Sequence, residues 1–209
     1  MKNPWEQIPL NDYENHMKLD SVQQLQGLNE LMKGQVGAYP VSSLMILGAA
    51  GGNGFEHIRK DKFEKVYAVD INPDYLEAAT SRYPGLSGVL ECLCVDLTGN
   101  MKQLPKADMV IANLIVEYIG YECFQKAVQR AAPGYVSCVI QINREGNWVS
   151  DSPYLHVFDG LDQVHHQMEE QALSQAMLAI GYRAVKKQEH GLPNGKTFVR
   201  LDFERETAL

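Results

Sequence analysis

The sequence predicts an α/β fold in which helices cover both faces of a mostly parallel, doubly wound sheet. Strand-like segments alternate with helical segments from about residue 44 to residue 180, and right-handed crossovers then produce parallel pairing. The apolar runs at 44–47 and 109–112 are nearly continuous, which is typical of strands buried on both faces. Asn194 followed by Gly195 is a hairpin signal and predicts one antiparallel strand near the C-terminus.

Each element is predicted from its periodicity and its end signals. Helices repeat apolar residues at three- and four-residue spacing, strands carry short apolar or alternating runs, and Pro73 stands in the first turn of a helix. Strands are expected at 44–47, 65–70, 89–96, 107–113, 134–142, 182–187 and 197–203. Helices are expected at 11–33, 53–60, 72–83, 121–131 and 162–179.

The composition excludes several classes of function. The net charge is −7 and Lys and Arg form no cluster, which argues against a nucleic-acid partner. No apolar run approaches the roughly 20 residues that a membrane span needs, and the N-terminus has no signal-peptide core. The four cysteines form no CxxC or zinc spacing, so we expect reduced thiols and no metal site. These features predict a cytoplasmic protein that binds neither nucleic acid nor membrane, and they leave the oligomeric state open.

The 209 residues are predicted to form one domain, because this length is enough to bury a single core. Residues 1–36 are expected to be an N-terminal helical cap and residues 37–209 the α/β core. Residues 143–160, which carry Trp148, Tyr154 and His156, are expected to form a lid loop.

Small or polar residues follow four of the predicted strands. Because the carboxyl ends of parallel strands share one edge of a sheet, a ligand crevice is expected there. Glycines permit left-handed φ and remove Cβ atoms, so that the chain turns tightly against a bound molecule. A carboxylate after the second strand can accept hydrogen bonds from both hydroxyls of a ribose. These residues are the glycine loop 48–54, Asp70, Asp96 with Leu97, and Asn113.

Four segments, MILGAAGGNGF, VYAVDINPDYL, LECLCVDL and ADMVIANLIVEYI, resemble in order and spacing the class I S-adenosylmethionine-dependent methyltransferases. The resemblance covers residues 40–203. It implies a Rossmann-like, seven-stranded sheet with one antiparallel strand near the C-terminus. It also implies that residues 37–209 bind S-adenosylmethionine, that S-adenosylhomocysteine is the product, and that the chain is a transferase.

The resemblance assigns roles by position. It implies that Asp70 binds the ribose and that Ile71 packs on the adenine ring, while Asp96 and Leu97 bind the adenine. Asn113 is expected to hold the loop or to line the pocket. The glycine-loop residues that it places at the cofactor, around the methionine half, are Gly48, Ala49, Ala50, Gly52 and Asn53.

The chain departs from the family pattern at two positions. Ile46 stands where the family usually has an acid, two residues before the first loop glycine. The cofactor's ammonium group therefore has one fewer charge nearby, and other groups must supply it. Ala50 replaces the second loop glycine, which is a smaller change because a methyl group is often tolerated.

Two other functions fit parts of the sequence. Gly48, Gly52 and Gly54 also match GxxxGxG, the NAD(P) loop of short-chain dehydrogenases, and Tyr182 with Lys186 match their YxxxK pair. In that family, however, the pair stands on a helix after the fourth strand. The third hypothesis is a catalytically idle domain that binds S-adenosylmethionine, which the missing acid at position 46 favours.

The acceptor is predicted to be a small molecule, because aromatic residues in two lid segments would roof a small pocket. Whether O, N, S or C is methylated stays open, and a general base is needed only if the acceptor loses a proton. Glu117 and His156 are the candidate bases; Glu117 can equally complement a helix dipole, and His156 can be an ordinary loop residue. The candidate substrate and lid residues are Tyr13, Tyr118, Trp148 and Tyr154.

Overall fold

A computed structural model describes residues 3–143 and 148–206 of the chain. Its seven strands are β1 (Ser43–Leu47), β2 (Lys65–Asp70), β3 (Leu90–Cys94), β4 (Met109–Asn113), β5 (Tyr135–Ile142), β6 (Tyr182–Gly191) and β7 (Thr197–Arg205). Its α-helices are α1 (Leu10–Met17), α2 (Gln24–Val36), α3 (Pro73–Arg82), α4 (Val116–Ala131) and α5 (Glu170–Ala179). Short 3-10 helices cover Pro4–Glu6, Phe55–His57, Pro84–Leu86 and Leu155–Gln163.

All seven strands join one sheet in the order β3-β2-β1-β4-β5-β7-β6. The first five strands pair in parallel, so their carboxyl ends meet at one edge. The strand β7 is antiparallel to both of its neighbours, β5 and β6. The predicted seven-stranded sheet with its antiparallel strand is therefore confirmed.

Helices cover both faces of the sheet because alternate side chains of each central strand point to opposite sides. Leu44 and Ile46 of β1 lie in a buried cluster with residues of α2 and α3. Met45 and Leu47 lie in another cluster with residues of α4 and α5. The double winding that the buried apolar runs predict is confirmed. Among the described residues, no helix combines the length and apolar character needed to traverse a bilayer.

The prediction of one helix over 11–33 is wrong, because two helices occupy this segment. The helix α1 ends at Met17 and α2 begins at Gln24. Between them Gln23 adopts a left-handed φ of 50°, and its side chain donates to the carbonyl of Asp20. Such side-chain bonds to the local backbone compete with helical hydrogen bonding.

Three other predicted helices have different bounds. The expected helix at 53–60 is only the turn Phe55–His57, which begins after left-handed Gly54 and ends at Ile58, where the backbone is extended with a ψ of 123°. The helix α4 begins five residues before the predicted residue 121 and is kinked at Gly120. The helix α5 begins at Glu170 rather than at 162, because a 3-10 helix extends to Gln163.

Replacing Gly54 with alanine is expected to destabilise the fold by roughly 2 kcal/mol, as strained left-handed backbone and overpacking each cost this order of energy. A Cβ atom at this position would lie 2.5 Å from Cγ of Met32 in α2. The melting temperature of Gly54→Ala should fall by about 5 °C in thermal unfolding of a domain of this size. Gly85→Ala is the control, since nothing lies within 4 Å of its added Cβ. Equal melting temperatures for the two variants would contradict the prediction.

Candidate active site

A cleft lies at the carboxyl edge of the sheet and contains about 1030 Å³ of empty space, including the part open to solvent. Its floor comes from the loops after β1, β2, β3 and β4, and its roof comes from the N-terminal segment and from residues 148–161. This is the edge at which open parallel sheets bind ligands. The sequence-predicted residues that line it are Tyr13, Gly48, Ala50, Asp70, Ile71, Asp96, Leu97, Asn113, Glu117, Tyr118 and Trp148.

The loop after β1 turns sharply at the floor of the cleft. The amides of Gly48 and Ala49 both donate to the carbonyl of Val69 in β2, at 2.9 and 3.1 Å. Gly48 has a left-handed φ of 68°, and Ala50 has a left-handed φ of 44° although it is not glycine. Backbone of this kind is costly and is concentrated at binding sites.

Asp70, the last residue of β2, ties the loops at the floor together. Its Oδ2 accepts from the amide of Ala50 and its Oδ1 from the amide of Asn72, both at 2.9 Å. The residue is 8% exposed, and burial raises the pKa of its carboxyl while these amide donors oppose the rise. Each oxygen keeps a lone pair for a ligand hydroxyl, because a carboxylate offers about four acceptor sites.

The loop after β3 forms the next part of the floor. Asp96 accepts hydrogen bonds from the amide and the hydroxyl of Thr98, at 2.8 and 2.7 Å. Leu97 is buried, and Ile71 lines the same side of the cleft after β2. This wall therefore combines apolar side chains with an oriented carboxylate, which suits a planar, polar-edged ring.

Asn113, at the end of β4, is held by a buried polar network. Its side-chain amide exchanges two hydrogen bonds with Gln35 of α2, at 2.8 and 2.9 Å. Gln35 also donates to the hydroxyl of Ser137, which donates to Asp202. Asp202 in turn pairs with buried Arg200. The cleft wall at β4 is thus fixed to the centre of the sheet.

Aromatic side chains form the side of the cleft away from the glycine loop. The ring of Trp5 packs edge-on against Tyr13 and Tyr118, with centroid distances of 5.6 and 4.8 Å. Tyr118 packs edge-on against Trp148 at 6.3 Å. Phe158 contributes a further ring to the same wall. These rings come from the N-terminal segment, α1, α4 and the roof.

Glu117, in the first turn of α4, is the carboxyl group on this aromatic side. It is 4% exposed, and its Oε1 accepts from the backbone amide of Gln141 at 2.6 Å. Burial raises the pKa of Glu117 to about 8, opposed by that amide and by the charge of Lys196. A carboxyl group with such a pKa can exchange protons near neutral pH.

Polar contacts close the far end of the cleft. Nδ1 of His16 lies 2.8 Å from the hydroxyl of Ser152, and burial lowers the pKa of His16 to about 4. Gln24 of α2 donates to the side chain of Gln141 at the end of β5. Lys196 donates to the backbone carbonyl of Trp148, and burial lowers its pKa to about 8.

Comparison with solved structures identifies proteins with the same architecture. The magnesium protoporphyrin IX methyltransferase of Synechocystis PCC 6803, with bound S-adenosylhomocysteine, has a TM-score of 0.66 at 14% identity, covering 94% of each chain. Geranyl diphosphate C-methyltransferase from Streptomyces coelicolor A3(2) has a TM-score of 0.65 at 10% identity, covering 87% of this chain and 77% of that one. The cyclase SpnF has a TM-score of 0.66 at 12% identity, covering 90% and 84%.

The chain has the class I methyltransferase fold. No protein-family model and no curated protein sequence matches it, so the likeness lies in the fold. The resemblance implied this fold, and that expectation is confirmed.

Five predicted site residues do not line the cleft of this methyltransferase fold. Ala49, within the glycine loop, is buried in the core, and Gly52 packs against Phe55 and Tyr83. Asn53 donates to the carbonyl of Leu25 in α2 and accepts from Asn29. Tyr154 and His156 belong to the roof but do not line the cleft. The side chain of His156 is 91% exposed and lies 3.3 Å from Asp159, outside the cleft.

The predicted lid over 143–160 is only partly visible, because residues 144–147 lie outside the described part of the chain. Trp148, Val149 and Phe158 of this segment line the cleft. Ile46 does not line the cleft, because its side chain packs in the core. The carboxyl groups that line the cleft in the described part of the chain are those of Asp70, Asp96 and Glu117.

Several lining residues carry no motif that the sequence could have revealed. Gln24, Gln141 and Phe158 come from three distant segments and were assigned no function from the sequence. Trp5 and His16 lie in the N-terminal segment that the sequence predicts as part of the aromatic roof, and both line the cleft, although neither was given a role of its own. Their grouping depends on α1 folding back over the sheet edge.

The dehydrogenase pair lies elsewhere in this fold. Tyr182 begins the edge strand β6 and donates its hydroxyl to the carbonyl of Pro133 at 2.7 Å. Lys186 is exposed on the same strand, and neither residue lines the cleft. The structure therefore does not assemble the dehydrogenase site that the YxxxK spacing indicated.

Proposed function

We propose that the chain is a methyltransferase that uses S-adenosylmethionine to methylate a small-molecule acceptor. One observation carries the proposal: a single cleft joins a polar floor, made by the glycine loop, Asp70 and Asp96, to an aromatic wall around Glu117. The floor suits adenosine with an amino-acid tail, and the wall suits an acceptor.

The residues present fit the cofactor. Asp70 presents spare acceptor sites to ribose hydroxyls, Ile71 and Leu97 offer apolar surface for adenine, and Gly48 brings backbone to the cleft. Among the described residues, Nε1 of Trp5 is the buried side-chain donor without a partner, and Trp5 lines this cleft. A buried donor without an acceptor costs about 1–3 kcal/mol, which a ligand acceptor would recover.

When bound, the cofactor supplies a methyl group on a sulfonium, which transfers by in-line displacement. The chain's own residues align the acceptor and exclude water. Such positioning can lower the activation barrier by about 7–11 kcal/mol. Trp148 and Phe158 close the roof, and Trp5 and Tyr13 close the N-terminal side. Glu117 is placed to take a proton from an acceptor that must lose one.

A small acceptor is supported by the closure of the cleft, because the N-terminal segment and residues 148–161 roof its floor. Two proteins of similar fold are methyltransferases named for magnesium protoporphyrin IX and geranyl diphosphate. The cleft lining contains no Lys or Arg among the described residues, which argues against binding a nucleic-acid backbone.

Calorimetric titration tests the cofactor, with S-adenosylhomocysteine, NAD⁺ and NADP⁺ as the probes. We expect binding of S-adenosylhomocysteine and of neither nicotinamide cofactor; the reverse result would reject the proposal in favour of a dehydrogenase. Transfer of tritium from methyl-labelled S-adenosylmethionine to a panel of small acceptors then tests catalysis. Binding without transfer to any acceptor would favour the idle domain, for which Ile46 in place of an acid is the supporting observation.

A further inference from the structure

The charges around the cleft are all of one sign. The lining residues of the described chain include the carboxyl groups of Asp70, Asp96 and Glu117 but no Lys or Arg. His16 also lines the cleft, and because burial lowers its pKa to about 4 it is uncharged at neutral pH. Among these lining residues an anionic acceptor would find no cationic side chain, whereas an ammonium group would find carboxyl groups that can ionise beside it.

Glu117 is the carboxyl group placed for an acceptor. Asp70 and Asp96 belong to the floor and already accept hydrogen bonds there from their own loops. Only Oε1 of Glu117 accepts a hydrogen bond from the described residues, the amide of Gln141. Its second oxygen accepts no hydrogen bond from the described residues, and Glu117 lines the cleft.

Aromatic rings line the same cleft as this carboxyl group. Tyr118 follows it in α4, and Trp5 and Trp148 pack edge-on against Tyr118 with centroid distances of 4.8 and 6.3 Å. One face of Trp148 is stacked on His165 at 4.0 Å. Aromatic rings attract cations through their negative faces, and the attraction strengthens when water is excluded. A buried carboxylate beside several rings is the chemistry that recognises an ammonium group.

Among the described residues, Lys196 is the cation whose charge acts on Glu117. Its ammonium group donates to the backbone carbonyl of Trp148, and Lys196 does not line the cleft. The free oxygen of Glu117 is therefore open to a cation from a ligand.

We propose that the methyl acceptor is a small amine, bound through its ammonium group by Glu117 and the rings of Trp5, Tyr118 and Trp148. This inference rests on the proposed methyltransferase function. If the acceptor is an amine, nitrogen is the atom that is methylated, which answers the choice among O, N, S and C that the sequence leaves open. It also separates this cleft from one built for a phosphate or carboxylate acceptor.

The reaction balances with the groups present. The bound ammonium gives one proton to Oε2 of Glu117, which becomes a carboxylic acid, and the nitrogen regains its lone pair. That pair forms the new N–CH₃ bond, while the bond from methyl carbon to sulfur breaks and leaves its electron pair on sulfur. The positive charge passes from the sulfonium to the methylated amine, and Glu117 later releases its proton to solvent. Burial raises the pKa of Glu117 to about 8, nearer the ~10.4 of an aliphatic ammonium.

Matched ligands test the inference on the full chain saturated with S-adenosylhomocysteine. The probes are phenethylamine, 2-phenylethanol and phenylacetate, with tryptamine, tryptophol and indole-3-acetate as a larger set. We expect each amine to bind at least ~10-fold more tightly than its alcohol or acid, the order expected for hydrogen bonds to a charged group. Methyl transfer from labelled S-adenosylmethionine should follow the same preference.

Variants of Glu117 assign the preference to this residue. Glu117→Gln keeps the shape and the bond from Gln141 but cannot ionise or accept a proton, so the amine preference should disappear while affinity for S-adenosylhomocysteine stays within threefold. Glu117→Asp keeps an ionisable carboxyl group and should retain the preference. Glu122→Gln, an exposed acid on the same helix, is the control and should behave as the unmodified chain.

The outcomes separate the two proposals. If S-adenosylhomocysteine does not bind, the methyltransferase function itself fails. If it binds but no amine is preferred over its alcohol or acid in either set, the amine inference fails alone. The inference also fails if Glu117→Gln folds, binds S-adenosylhomocysteine and still prefers amines.

Discussion

Replacing Asp70 with alanine is expected to weaken binding of S-adenosylhomocysteine by about 10- to 150-fold, which corresponds to the ~1.5–3 kcal/mol of charge-assisted hydrogen bonds. Two effects contribute. The variant removes the carboxylate proposed to hold the ribose hydroxyls, and it leaves the amides of Ala50 and Asn72 without their acceptor. The glycine loop therefore loses both its ligand contact and its anchor to β2. Calorimetric titration measures the loss directly.

Asp74→Asn is the matched control for Asp70. It removes one negative charge from the first turn of α3, where Asp74 is exposed and does not line the cleft. Its affinity for S-adenosylhomocysteine should stay within twofold of that of the unmodified chain. An Asp70→Ala variant that folds and binds within threefold would show that Asp70 does not hold the cofactor.

Glu117→Gln is expected to stabilise the free protein at pH 9 and to change it little at pH 5. Burial raises the pKa of Glu117 from 4.5 to about 8, so between these values the folded chain keeps a proton that the unfolded chain has released. The free energy of unfolding therefore falls as pH rises through this window, by about 1.4 kcal/mol for each unit of pKa difference. Glutamine cannot ionise, so the free energy of unfolding of the variant does not fall in this way as pH rises.

Other titrating groups near Glu117 do not change this sign. His16, with its lowered pKa, adds stability as pH rises from 4 to 6.5, and it does so in both proteins. Tyr13 and Tyr118 have raised pKa values and stay neutral throughout. In the variant Lys196 no longer gains from the negative charge of Glu117. The stabilisation by Glu117→Gln is therefore smaller at pH values where Lys196 is still protonated. The difference between variant and unmodified chain thus reports Glu117.

Thermal unfolding at pH 5, 7 and 9 measures the effect. A stabilisation of a few kcal/mol raises the melting temperature of a domain this size by about 5 °C or more. We expect the difference in melting temperature to grow from pH 5 to pH 9 for Glu117→Gln and to remain flat for Glu122→Gln. A difference that is constant across these pH values would show that Glu117 is ionised throughout.

The strands were predictable because their signal is local. The runs at 44–47 and 109–112 are apolar on both faces, and each became a central strand of the sheet. The residues after those strands were predictable for the same reason, since parallel strands bring their carboxyl ends together whatever the helices do. Gly48, Asp70 and Asn113 accordingly line one cleft.

The helices were less predictable, because apolar periodicity does not show where backbone geometry interrupts it. Residues 11–33 have helical spacing throughout, yet a left-handed residue, Gln23, separates α1 from α2. The expected helix at 53–60 ends after one turn, because the backbone of Ile58 is extended with a ψ of 123°. In both cases the backbone conformation of a single residue, not the pattern of apolar residues, bounds the element.

The sequence by itself determined the sheet, its antiparallel strand and the polar residues at its carboxyl edge, since all of these follow from short-range patterns. Only the tertiary structure distinguished Glu117 from His156, which have equal claims in the sequence. Glu117 is buried beneath aromatic rings from distant segments, whereas His156 lies in solvent. The physical reason is that a pKa, and the charge a pocket presents, depend on burial and neighbours, which exist only after the chain has folded.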